Sequence, residues 1–187
     1  MNIIVKTFGG NVIVRPDTTW EKDNEDTYPQ DFIETLSFTP VLFARINKPG
    51  KSVGLRFASR YYDSANYGLL LYPENLLRGG EEDFACASCL DHTSFLPAPL
   101  YQKCVFGTAG NEFILSKDGK EIFRTSTEGL ARIEEAIEEA TRKIYIRTGD
   151  LIAIELDSRK MLYDRAEGVV NIHGTFCDNE IVSFNIK

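Results

Sequence analysis

The sequence predicts an α+β fold that is mostly β, with one main amphipathic helix, and three observations carry that expectation. Short apolar runs of strand length recur from end to end, bounded by Gly, Pro, Asn and Asp. Two such runs in "NEFILSKDGKEIFRT" close around Asp118-Gly119, the strongest local hairpin signal in the chain. Only one segment, about 126–144, changes its apolar period from two to three and four. Strands, one helix and more strands argue against a doubly wound parallel sheet.

Taken in order, residues 2–6 and 11–15 read as two strands joined across Gly9-Gly10. Residues 16–30, "PDTTWEKDNEDTYPQ", are polar and acidic, and read as an exposed loop or flap. "SFTPVLFARI" reads as a buried strand ended by the turn "NKPGK". In "SVGLRF", Val53, Leu55 and Phe57 alternate with Gly54 and Arg56, which predicts a half-buried strand. "YGLLLY" and "KCVFGT" follow as short strands, and Glu81, Glu82 and Asp83 as part of a Gly-led polar loop. For the helix, Thr125 and Glu128 form a capping box. Leu130, Ile133, Ile137, Ala140 and Ile144 form its apolar stripe. Glu134, Glu135, Glu138 and Glu139 fall on the opposite, wet face. "LIAIEL", "KMLY", "VVNIHG" and "EIVSFNIK" return to strand.

The totals narrow the function. A chain of 187 residues with 43% hydrophobic and 26% charged residues fits one globular domain, 1–187. A net charge of -7, with no Lys/Arg run longer than two, argues against nucleic acid or an anionic membrane as partner. No apolar run approaches the length of a membrane span. The start lacks the order of a secretory signal, and the four cysteines then fit reduced thiols in a cytoplasm.

Several groups could carry chemistry. Cys86, Cys89, His92 and Cys104 offer four N/S ligands for zinc, against free thiols that are buried or half-buried. A redox Cys-x-x-Cys opens a helix, and "LDHTSFLP" after "CASC" does not read as one. The stretch from Phe84 to Gln102 reads as a turn segment lining a cavity, with its thiols mainly packing. Asp91-His92 is the acid/base candidate: an Asp fixes the tautomer of a His that titrates near neutrality. Turn hydrogen bonds explain the pair equally simply, and His173 reads as a structural histidine. Arg45, Lys48, Arg56 and Arg60, followed by Tyr61, would suit a small dicarboxylate, because Arg grips a carboxylate through two parallel bonds. Exposed charges on a sheet are the alternative. Glu155 and Asp157 share a strand face and could hold Mg2+.

"PVLFARINKPGK" and "CLDHTSFLPAPL" are similar to two segments of the fumarylacetoacetate hydrolase family. The order of hairpin, amphipathic helix and Gly-Asp strand in "NEFILSKDGKEIFRTSTEGLARIEEAIEEATRKIYIRTGDLIAIEL" resembles the same family, as does "GTFCDNEIVSFNIK". The likeness covers about 38–50 and 84–187. It implies a mixed β-sheet roll and an enzyme that cleaves, decarboxylates or isomerises short keto and enol diacids with Mg2+ or Ca2+. The chain departs from the pattern at three points. No Glu-x-Glu lies between "NKPGK" and "CLDHT", so no metal ligands are assigned. Ser88 stands where the family has a catalytic Lys, and "IELD" replaces Thr-Gly-Thr-Pro.

The resulting expectation is a cytoplasmic protein that binds a small organic acid and acts, where it does, as a metal-assisted hydrolase or lyase. It would self-associate as a homodimer or larger homo-oligomer. The acid would lie between the "FARINKPGK" strand end and the "CLDHTSF" turn. Arg45, Lys48, Arg56 and Tyr61 would bind it, and Asp91 and His92 would perform catalysis. A noncatalytic ligand-binding or self-associating module, and a zinc-binding β-rich domain, are the alternatives.

Overall fold

The computed structural model describes residues 1–108, 110–125 and 129–187. In chain order the strands are β1 (Asn2–Lys6), β2 (Val12–Pro16), β3 (Trp20–Glu21), β4 (Thr35–Ile46), β5 (Tyr62–Pro73), β6 (Ser94–Phe95), β7 (Tyr101–Gln102), β8 (Phe113–Lys117), β9 (Lys120–Thr125), β10 (Leu151–Glu155), β11 (Lys160–Asp164), β12 (Val170–Phe176) and β13 (Asn179–Ile186). The helices are α1 (Leu55–Ala58), α2 (Glu81–Ala87) and α3 (Leu130–Lys143).

A nine-stranded sheet runs β2-β1-β10-β4-β5-β6-β3, with β11 also on β4 and β7 also on β5. Pairs β1/β10 and β3/β6 are parallel and the others antiparallel, so the sheet is mixed. A second, four-stranded sheet runs β13-β12-β8-β9. The architecture is α+β and mostly β, as the sequence predicts. β4 is apolar almost throughout because both its faces are covered. Phe38, Leu42 and Ala44 enter the larger core cluster, with Ile133, Ile137 and Ala140 of α3; Val41 and Phe43 enter a second cluster with Ile3, Val5, Leu70 and Leu151.

The β8–β9 hairpin turns at Asp118 (φ 50°) and Gly119 (φ 77°), the two left-handed residues that let a tight turn follow the strand twist. The expected helix is present as α3. Residues 126–128, including the Glu128 half of the expected capping box, lie outside the described residues; the expected Thr125 cap is corrected, since Thr125 ends β9 and α3 starts after Gly129. At Gly68 the strands β5 and β6 run so close that a Cβ would stand 2.2 Å from the Phe95 carbonyl oxygen. Backbone cannot swing aside as a side chain can. Gly68→Ala should therefore cost roughly 2–3 kcal/mol, read as a lower urea midpoint at unchanged slope.

Four further local expectations are corrected. "SVGLRF" contributes the single turn α1 rather than a strand, with only Val53 and Ala58 buried and Leu55 and Phe57 exposed. Two repeats of alternation are too few to separate the periods. "KCVFGT" is a 3-10 turn that buries Phe106. The Gly-led polar segment winds into α2: acidic residues fill its first turn, where negative charge favours a helix, and the Gly80 N–H donates to the Asp83 carboxylate at 3.2 Å. Residues 16–30 do not project as a flap. Thr19 is fully buried, the Trp20 indole N–H donates to the Leu96 carbonyl at 2.9 Å, and the Thr27 N–H donates to the Asn185 carbonyl at 2.8 Å.

Candidate active site and its departures

Strand alternation sends Ile13 and Arg15 of β2 inward together, and Arg15 ends with no exposed surface. Its Nε donates to the Ser88 carbonyl at 2.8 Å. Nη2 donates to the Leu71 carbonyl at 3.0 Å and the Thr93 hydroxyl at 2.9 Å, and Nη1 to the Thr93 carbonyl at 3.4 Å. The guanidinium lies 4.9 Å from the centre of the Tyr72 ring. Burial lowers its pKa from the ordinary value, opposed by Tyr72, Glu155 and Cys89, but a guanidinium keeps its charge in proteins. Arg15 thus ties the segment after α2 to the sheet.

Beyond Tyr72 stands Glu155, the last residue of β10 and only 5% exposed. Its Oε1 accepts from the Tyr72 hydroxyl at 2.7 Å and the Thr39 hydroxyl at 3.2 Å; Oε2 accepts from the Phe8 N–H at 2.7 Å. Burial, then the nearby carboxylate, raises the Tyr72 pKa against the pull of Arg15, so Tyr72 serves as a neutral donor. Arg15, Tyr72 and Glu155 form a cation–ring–anion stack through the second core cluster.

A cleft of about 1060 Å³ opens above this stack, between the β1–β2 hairpin, α2 and the β10–β11 turn. Phe8, Val14, Phe84, Ser88, Glu155 and Arg159 are among its lining residues. Phe84 stacks on Tyr72, and the exposed Arg159 guanidinium lies 5.6 Å from the Tyr72 ring centre and 5.9 Å from that of Phe84. Lys143 adds a second cation. Sequence reasoning missed Arg15, Phe8, Phe84 and Arg159. Arg15 left one signal, a charge on the inward register of an apolar strand; the others left none.

Asp91 and His92 line a different cleft, of about 420 Å³, with Ile33, Leu36, Leu71 and Leu90 as apolar floor. His92 sits at φ 55°. Its Nδ1 is 3.2 Å from Oε2 of the buried Glu21, so Glu21, not the expected Asp91, is the carboxylate that meets the imidazole. Glu25 and Asp26 line the same cleft. A hydrogen bond from Lys187, followed by the Asn185 N–H, holds the Asp26 carboxyl below its ordinary pKa. His173 pairs instead with Glu180, 3.0 Å away.

Arg45 lines a third hollow, of about 350 Å³, with Asp63 and Thr148. Lys48 lies 5.1 Å over the Tyr61 ring; Arg56 and Arg60 lie 4.5 and 5.3 Å over Phe57, and all four cations are exposed. The expected shared hollow is not formed. Leu71, whose N–H donates to the Thr93 carbonyl, pairs with Phe38, whereas Arg45 pairs with Leu151. Seven extended residues of β4 separate Phe38 from Arg45, about 23 Å. Strand length keeps the cations and the imidazole apart.

The metal that the resemblance implies needs several converging oxygens. The strand between the two resembling segments is β5, which carries Ser64 and Asn66 on the face opposite Ala65 and Tyr67. The Asn66 amide donates to the Pro97 and Pro99 carbonyls at 3.2 and 3.1 Å. Both Glu155 oxygens are engaged, and Asp157 pairs with Lys160 at 2.6 Å. Among the described residues no three His, Cys, Asp or Glu side chains are arranged to hold a metal ion. The residues present do not fit the implied Mg2+ site, and the zinc set of Cys86, Cys89, His92 and Cys104 does not assemble. Cys86, Cys89 and Cys104 are exposed rather than buried.

No protein-family model matches the sequence, and no curated protein sequence matches it. Solved structures do match. A putative fumarylacetoacetate hydrolase family protein from Yersinia pestis CO92 superposes with a TM-score of 0.82 at 14% identity, over 100% of this chain and 92% of that one. Fumarylpyruvate hydrolase from Pseudomonas aeruginosa, in complex with Mn2+ and pyruvate, gives 0.81 at 15% identity over 100% and 89%. The 5-carboxymethyl-2-hydroxymuconate delta-isomerase from Mycobacterium smegmatis gives 0.78 at 14% identity over 99% and 78%. Over its whole length the chain has the fold of the fumarylacetoacetate hydrolase family, built from a strongly divergent sequence.

Proposed function

We propose that the chain uses this fold to bind a small organic acid in the cleft above Tyr72 and Glu155, as a ligand-binding module without the family's metal-assisted chemistry. One observation carries the reading. Ser88 and Glu155, which stand where the resemblance puts a catalytic Lys and a Thr-Gly-Thr-Pro segment, both line this cleft. The family's working position is therefore kept as a hollow while its reactive groups are replaced. Arg159, braced by two rings, supplies a fork for a carboxylate. Phe8 and Phe84 supply apolar walls for its body. A similar fold with pyruvate, in the Pseudomonas aeruginosa structure, supports the ligand class.

Thermal-shift titration with short keto acids and dicarboxylates tests this. A ligand at a hundred times its Kd should add about 2.7 kcal/mol. Because Arg159 is exposed, Arg159→Ala should leave the unliganded Tm in place and weaken binding by roughly tenfold or more. No shift with any acid, or an unchanged shift in the variant, would remove the proposal.

The Glu21–His92 contact favours a second reading, a proton-transfer site with Asp91 at its rim. A buried carboxylate orienting an imidazole beside an apolar floor is the geometry of a general base. The surrounding carboxylates oppose an anionic substrate, so this site would take a neutral or cationic one. His92→Gln should then leave the organic-acid shift intact.

A further inference from the structure

Cys86 and Cys89 bracket Ala87 and Ser88 at the end of α2. The two cysteines are exposed and the two small residues between them are buried. That pattern follows helical spacing, in which residues three apart stand side by side on one face. The Cys89 N–H donates to the Cys86 carbonyl at 3.1 Å. Closing the turn in this way brings the two α-carbons within about 7 Å, the range in which a disulfide can span them. The intervening backbone is already fixed: the Ser88 carbonyl accepts from Arg15, and the Ser88 hydroxyl donates to the Phe84 carbonyl at 2.7 Å.

We propose that Cys86 and Cys89 form a surface dithiol that exchanges with low-molecular-weight disulfides. One cysteine thiolate attacks a sulfur of the small disulfide, whose S–S bond breaks, leaving a mixed disulfide and releasing one small thiol. The second cysteine, as thiolate, attacks the protein-side sulfur, forms the Cys86–Cys89 bond and releases the other small thiol. The protein gives up two electrons and two protons, and the small disulfide is reduced to two thiols. Cys89 also lines the cleft proposed above for the organic acid, but the exchange needs no acid bound there and is tested without one.

Cys104 and Cys177 lie on other elements, the 3-10 turn Lys103–Gly107 and the β12–β13 turn, and serve as internal references. The folded, full-length protein is treated with excess oxidised glutathione, its remaining thiols are alkylated, and it is cleaved after Lys and Arg. Both cysteines then fall in the peptide 79–103. That peptide should be two hydrogens lighter and carry no glutathione, while Cys104 carries an adduct; dithiothreitol should reverse both. In Cys86→Ser the adduct on Cys89 should persist at roughly tenfold or more above the wild-type level, because the neighbouring thiol no longer resolves it. Cys89→Ser is the mirror test if that variant fails to fold. Separate adducts on both cysteines, or two alkylated thiols beside a modified Cys104, would overturn the proposal.

Discussion

Arg15→Met should lower the stability of the protein by about 3–5 kcal/mol and its melting temperature by roughly 10 °C. Methionine can fill much of the volume, so the loss is not mainly a cavity. The Ser88, Leu71 and Thr93 carbonyls and the Thr93 hydroxyl lose their shared donor. Glu155 loses a balancing cation. Arg15→Lys restores a charge but not the planar fork, and should recover only a minor part. Urea unfolding followed by fluorescence and by circular dichroism reads the change. A loss below about 1 kcal/mol would show that the segment after α2 is held by packing alone.

Glu155→Leu should cost about 3–4 kcal/mol, since it leaves three donors, two of them on fully buried side chains, without an acceptor. Glu155→Gln keeps one carbonyl oxygen and should cost about half as much. The two sites interact through Tyr72, so the double variant Arg15→Met/Glu155→Leu should be less damaging than the sum of the singles by about 1 kcal/mol or more. Strict additivity would dissolve the cation–ring–anion stack as an energetic unit.

Much of the fold is legible in the sequence because apolar periodicity and turn chemistry are local. The Asp118-Gly119 hairpin, the Ile133/Ile137/Ala140 stripe and the long buried β4 all announce themselves within a dozen residues. Two elements are misread for the same reason: α1 and α2 are one and two turns long, too short for a period to declare itself. The site is less legible. Arg45 and His92 are joined in the sequence by shared chemistry, but their distance depends on β4 register. Glu21, which orients His92, lies 71 residues away from it. Arg159 becomes informative only once two aromatic rings from distant elements stand beneath it.

The parallel pairing of β1 with β10 places the second residue of the chain against one 148 positions later. On a ribosome, the β1–β2 hairpin must therefore wait, unpaired along one side, until β10 has emerged and been laid against β4. Assembly order follows from this interleaving: the apolar edge of β1 stays open to chaperones across the 148 positions between Ile3 and Leu151.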